Sequence, residues 1–156
     1  MKGFSLSHIN LKLMNIDQPT NNKIVPVLAA IIMNHDGSVL LAQRRADKHN
    51  PLKWEFPGGK LQAKESPEYC LAREIQEELG IKISVRQLFS AVNYSYPHEN
   101  ILLLAYFAEL LAGSVRLSDH QEVRWVPIEK LSAYDLSPAD IPIVEKLIDN
   151  YSGSYL

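Results

Sequence analysis

Apolar positions recur along this chain with two different periods, and they divide it into strands and helices. Ile24–Met33 (IVPVLAAIIM) is almost continuously apolar, the pattern of a strand buried on both faces. Asn34-His35-Asp36-Gly37 supplies turn residues, and Ser38–Arg45 follows as the expected hairpin partner. A polar loop, ADKHNPLK, leads to a short strand at Trp54–Phe56. Further extended segments are expected at Ile81–Tyr96, Ile101–Leu110 and Glu122–Val126, with a turn at Glu99-Asn100. In Pro67–Leu79 the period becomes helical, with Leu71, Ile75 and Leu79 forming one apolar stripe. Ser66 and Pro67 suit the cap and first position of that helix, and Gly80 suits its stop. Pro127 precedes a short helical turn to about Leu131. Pro138–Asn150 reads as a terminal helix with Ile141, Val144, Leu147 and Ile148 at helical spacing. Strands dominate and helices are inserted between them. The expected architecture is a mixed α/β sandwich, a sheet core with the Pro67–Leu79 helix on one side and the terminal helix on the other.

Length and charge narrow this picture. At 156 residues the chain is expected to form one domain over 24–150. Residues 1–23 read as a polar leader, partly ordered at best, and 151–156 as a tail. The formal net charge of −2 gives no basic surface for polymeric nucleic acid and no reason to expect membrane binding. The apolar run Ile101–Ala108 is too short to span a bilayer, and the first twenty residues lack a continuous apolar signal core. A single cysteine, Cys70, excludes an intramolecular disulfide and fits a reducing compartment, so a cytoplasmic location is expected. Its position inside a helix favours burial over nucleophilic chemistry.

The candidate chemistry is concentrated in Gly59–Ile81, GKLQAKESPEYCLAREIQEELGI. Glu65, Arg73-Glu74, Glu77-Glu78 and Gly80-Ile81 follow Gly59 at fixed spacing, a match that chance gives with a probability on the order of 10⁻⁹ to 10⁻¹⁰. On a helix, Glu74, Glu77 and Glu78 stand at i, i+3 and i+4, so their carboxylates share one face. Three crowded carboxylates repel one another unless a cation sits among them. Oxygen-only ligation suits Mg²⁺ or Mn²⁺.

This segment, with WEFPGGK before it, the upstream QRR and the SPADIP segment near the end, resembles the MutT-like branch of the Nudix hydrolases. The likeness runs from about Val25 to Ile148. It implies a Nudix-type α/β/α sandwich and Mg²⁺-dependent hydrolysis of a nucleoside triphosphate to monophosphate and pyrophosphate, with Mn²⁺ able to substitute. SPADIP looks closest to the CTP pyrophosphohydrolase type. The alternatives are a nucleoside-diphosphate-X substrate such as ADP-ribose, and a non-catalytic nucleotide-binding module.

By that resemblance Glu74, Glu77, Glu78 and the carbonyl of Gly58 hold the metal, and Glu65 and Arg73 support them. Gly58-Gly59 is expected to let the backbone approach the metal. Arg45, next to Arg44, suits phosphate, and Lys60 is a second candidate. Asp119 is expected as the general base, with Glu122 close enough in sequence to substitute. Base selection falls to Asp140 and to stacking on Phe56, with Tyr94 and Tyr96 nearby. Read as ionised, Asp140 only accepts hydrogen bonds, which favours an amino-bearing base, cytosine first. Glu99 stands about where the oxidised-guanine enzyme has an arginine, which points the same way.

Overall fold

A computed structural model describes residues 22–151. Nearly all of the expected leader and the tail beyond Tyr151 lie outside the described residues. Seven strands run β1 (Ile24–Met33), β2 (Ser38–Arg44), β3 (Trp54–Glu55), β4 (Gly58–Lys60), β5 (Lys82–Ser95), β6 (Asn100–Ala112) and β7 (His120–Pro127). Helix α1 (Pro67–Leu79) lies between β4 and β5, and α2 (Ile141–Tyr151) closes the described chain. Two 3-10 segments, Ile128–Ala133 and Pro138–Asp140, precede α2. The sheet is mixed, in the order β3-β2-β1-β6-β5, with β4 pairing β1 and β7 pairing β2. β1 and β6 run parallel in continuous register from Ile24↔Asn100 to Met33↔Glu109.

The unbroken apolar character of β1 now has its cause. Successive side chains of a strand point to opposite faces, and here both faces are covered. Leu28, Ala30 and Ile32 pack with Cys70, Leu71, Ile75 and Leu79 of α1. Ala29 and Ile31, one residue out of phase, pack with Ile143, Val144 and Leu147 of α2. The two helices therefore flank the sheet as expected.

Three local expectations change. β2 meets β1 only at Met33↔Val39 beside the turn, and pairs along its length with β7 instead. The edges of β1 are already taken by β6 and β4, so β2 has to diverge. β4, a Gly-Gly-Lys segment, carries no strand signal of its own and is held by pairing Gly59 with Leu28. The terminal helix begins at Ile141 rather than Pro138, after the 3-10 turn. Its apolar stripe is accordingly Ile143, Val144 and Leu147, and Ile141 is 40% exposed.

Helix α1 starts and ends as its sequence predicts. The Ser66 hydroxyl accepts from the Tyr69 amide at 3.2 Å, and Gly80 takes φ 68° while its amide donates to Gln76 O. Gly80→Val forces a β-branched residue into the left-handed region and should cost roughly 1 kcal/mol or more. Its thermal midpoint should fall below the parent's; an equal midpoint would remove the capping role. The segment after β6 then grips the same helix end. The Arg116 amide donates to Leu79 O at 2.8 Å, and Ser118 Oγ donates to the carbonyls of Glu77 and Glu78. This is what delivers Asp119 to the acidic face of α1. No helix among the described residues is long and apolar enough to cross a membrane.

Candidate active site

Arg73 organises the acidic face. Its Nε and Nη2 donate to the two oxygens of Glu65 at 2.6 and 3.0 Å, a bidentate pair. Nη1 reaches Glu74 Oε1 at 2.9 Å and Glu77 Oε2 at 3.2 Å. The Arg73 guanidinium, assisted by the Gln62 amide, holds the Glu65 carboxyl down to about 2. Glu65 and Arg73 thus tie the loop before α1 to two of its three carboxylates.

Glu78 is left out of this network. Its Oε2 is buried and has no hydrogen-bond partner among the described residues. Burial first, and then the charges of Glu74, Glu55, Asp119 and Glu77, push its carboxyl up to about 8. A buried acid among four others is a costly arrangement that a cation would relieve. As placed, no trio of carboxylate, imidazole or thiol side chains among the described residues is gathered to hold an ion. The oxygen-only donor set and the orphaned Glu78 oxygen fit Mg²⁺ or Mn²⁺.

The glycine pair also has a packing reason. A Cβ on Gly58 would lie 1.8 Å from the Leu28 carbonyl oxygen, and one on Gly59 would lie 2.4 Å from Glu74 Cδ. Both glycines admit the close approach of β4 to β1 and of Glu74 to β4. Cys70 is buried under the same corner, its Sγ 3.4 Å from Lys60 O, and burial together with Glu65 pushes the thiol up to about 11. A thiol so held is no nucleophile.

Beside Glu78 lies a polar notch of about 170 Å³ that Gly58, Asp119, His120, Glu55 and Arg44 also line. Glu55 bridges two strands there, accepting from Arg44 Nη1 at 3.0 Å and facing His120 Nε2 at 3.2 Å. Arg44 Nε meanwhile donates to His49 O at 2.5 Å and anchors the following loop. Within that loop Asn50 and Leu52 adopt left-handed φ of 51° and 60°. Glu122 points elsewhere, paired with the exposed Arg124 at 2.5 Å. Of the two acids expected as base, only Asp119 borders Glu78.

Arg44, Glu55 and Gly58 are shared with a larger cavity of about 460 Å³, open between the loop after β2 and the β5–β6 turn. Phe56 and Tyr96 line it, whereas Tyr94 packs against Tyr96 from behind. The imidazoles of His49 and His98 stack at 3.9 Å across its mouth. Lys60 lines the rim with its Nζ donating to Glu99 at 2.6 Å, so Glu99 is ion-paired there. Arg45 does not line this cavity. It is exposed, pairs with Asp47 and borders a shallow depression beside His120 and Gln121.

Asp140 sits in the cavity at 5% exposure, its Oδ1 accepting from the Phe56 amide at 2.9 Å. Full burial, reinforced by the charge of Glu55, raises its carboxyl well above the usual range. Burial therefore disfavours the ionised form of Asp140 read from the sequence. Glu55, His120 and the full role of Arg44 were missed in the sequence. Their signal was slight: a glutamate alternating with the inward Trp54 and Phe56, and a histidine at the first residue of β7.

Residues 23–147 match the NUDIX domain model. This chain belongs to the Nudix family. Its relatives place it among the MutT-like Nudix hydrolases. It is 34% identical to the 8-oxo-dGTP diphosphatase of Escherichia coli K12, over 80% of this chain and 97% of that protein. It is 38% identical to the CTP pyrophosphohydrolase of the same organism, over 79% and 90%. A MutT protein crystal structure from Methanosarcina mazei Go1 superposes with a TM-score of 0.75 at 28% identity, covering 84% of this chain and 96% of that one.

Proposed function

We propose that this Nudix hydrolase is a Mg²⁺-dependent nucleoside triphosphate pyrophosphohydrolase that releases monophosphate and pyrophosphate. The observation that carries the reading is the partnerless Glu78 oxygen, buried among carboxylates on a notch that shares Arg44, Glu55 and Gly58 with a cavity large enough for a nucleoside. Glu74, Glu77, Glu78 and the Gly58 carbonyl would hold the metal. Bound there, a divalent ion supplies charge neutralisation of phosphate oxygens and activation of a water. Arg73 positions Glu74 and Glu77 and in turn rests on Glu65. Asp119, beside Glu78, accepts the proton of the attacking water. Arg44, common to notch and cavity, is better placed for phosphate than Arg45. Lys60 stands at the rim for the same task.

Phe56 and Asp140 face the base. With its proton retained by burial, Asp140 would pair with an amine or with a carbonyl. Cytosine and oxidised guanine nucleotides are the two candidates. The relatives named for CTP and for 8-oxo-dGTP support this pair of candidates. A kcat/KM panel with CTP, dCTP, 8-oxo-dGTP and ADP-ribose in Mg²⁺ tests the reading. A triphosphate should lead by at least tenfold, about 1.4 kcal/mol of transition-state binding. ADP-ribose as best substrate would overturn it.

A further inference from the structure

Three buried side-chain polar atoms among the described residues have no hydrogen-bond partner: Glu78 Oε2, His120 Nδ1 and Ser137 Oγ. The first two belong to residues of the acidic notch, and Ser137 lines the nucleoside cavity. Unpaired buried polar atoms are rare in folded proteins, and here all three lie on residues that border these two contiguous spaces. Ser137 is the one that lies on the cavity wall rather than in the notch.

Its local structure sharpens the point. Ser137 is the N-cap of the 3-10 turn Pro138–Asp140, a position where a serine hydroxyl ordinarily binds the turn's amides. This one makes no such bond. The Asp140 amide goes to the Ser137 carbonyl at 2.9 Å, and the Ser137 amide goes to Trp54 O at 2.8 Å. The backbone is satisfied and the hydroxyl, on a residue 3% exposed, is left over. Residues three apart on a 3-10 turn lie on the same side, and Ser137 and Asp140 do line the same cavity.

We propose that Ser137 is a specificity-determining residue, its hydroxyl reading the hydrogen-bonding edge of the nucleobase together with the Asp140 carboxyl. The assignment rests on the nucleotide reading given above and adds a second contact to it. Asp140 alone, with Oδ1 already accepting from the Phe56 amide, has one oxygen left for the base. A second polar atom on the same turn fixes the orientation of the base and makes neighbouring edge atoms count.

The test uses the full chain and its Ser137→Ala variant. The probes are non-hydrolysable α,β-imido triphosphates of cytidine and of 8-oxo-deoxyguanosine, with inorganic tripolyphosphate as a base-free control, all in Mg²⁺. Affinity for at least one nucleotide analogue should fall about three- to tenfold, while tripolyphosphate binds unchanged. The thermal midpoint of the ligand-free variant should equal or exceed the parent's, because an unsatisfied buried hydroxyl has been removed. A lowered midpoint with unchanged nucleotide affinities would make the hydroxyl structural and overturn the proposal. An equal loss for tripolyphosphate would also overturn it. A parent that binds tripolyphosphate but neither analogue would instead overturn the nucleotide reading on which it rests.

Discussion

Replacing Glu78 with glutamine should lower nucleotide hydrolysis on the order of 10³-fold, about 4 kcal/mol of transition-state stabilisation, with the fold intact. The substitution keeps the volume of a side chain packed at the sheet–helix junction and removes only its charge. Glu78 is the carboxylate that Arg73 does not hold; its Oε2 is buried without a partner, and the residue borders the notch shared with Asp119 and Gly58. An amide there is a weak ligand for a hard cation. Steady-state rates at saturating Mg²⁺, with circular dichroism to verify the fold, measure the effect. A folded variant with full activity would remove Glu78 from the site.

The same substitution should stabilise the metal-free protein at alkaline pH. The Glu78 carboxyl is raised from an ordinary 4.5 to about 8, so the folded state favours its protonated form. The stability linked to that proton is fully present below pH 4.5 and is lost as pH rises toward 8. The glutamine variant has no such proton to lose. In EDTA the two proteins should therefore unfold alike near pH 4.5 and diverge above it, the variant gaining roughly 4 kcal/mol by pH 8. Mg²⁺ should restore the parent at pH 8 and leave the variant nearly unmoved. Denaturant titrations at pH 4.5 and 8 give the comparison; parallel stabilities at both would show that Glu78 is not strained by its neighbours.

The elements that carry this site differ in how plainly the sequence announces them. Helix α1 is fully legible, since Ser66, the Leu71–Ile75–Leu79 stripe and Gly80 each act within one turn of their neighbours. The two-sided burial of β1 is legible in its unbroken apolar run. Pairing partners are not, because the edges of β1 are claimed by β4 and β6 from far along the chain. The upward shift of the Asp140 carboxyl is hidden for the same reason. It depends on burial against Phe56 and on Glu55, more than eighty residues upstream, whereas the sequence shows only an aspartate near a helix start. Likewise the leftover hydroxyl of Ser137 follows from backbone bonds to Trp54 and Asp140, not from its own neighbours. Local signals located the acidic helix; the cavity beside it is assembled from distant segments.

The central claim is metal-dependent cleavage of a nucleoside triphosphate into monophosphate and pyrophosphate. Phosphorus-31 NMR of CTP and of 8-oxo-dGTP incubated with the protein tests it most directly. In Mg²⁺ at least one of the two should give paired monophosphate and pyrophosphate resonances, and in EDTA neither should change. Release of orthophosphate with nucleoside diphosphate, or equal turnover in EDTA, would contradict the account.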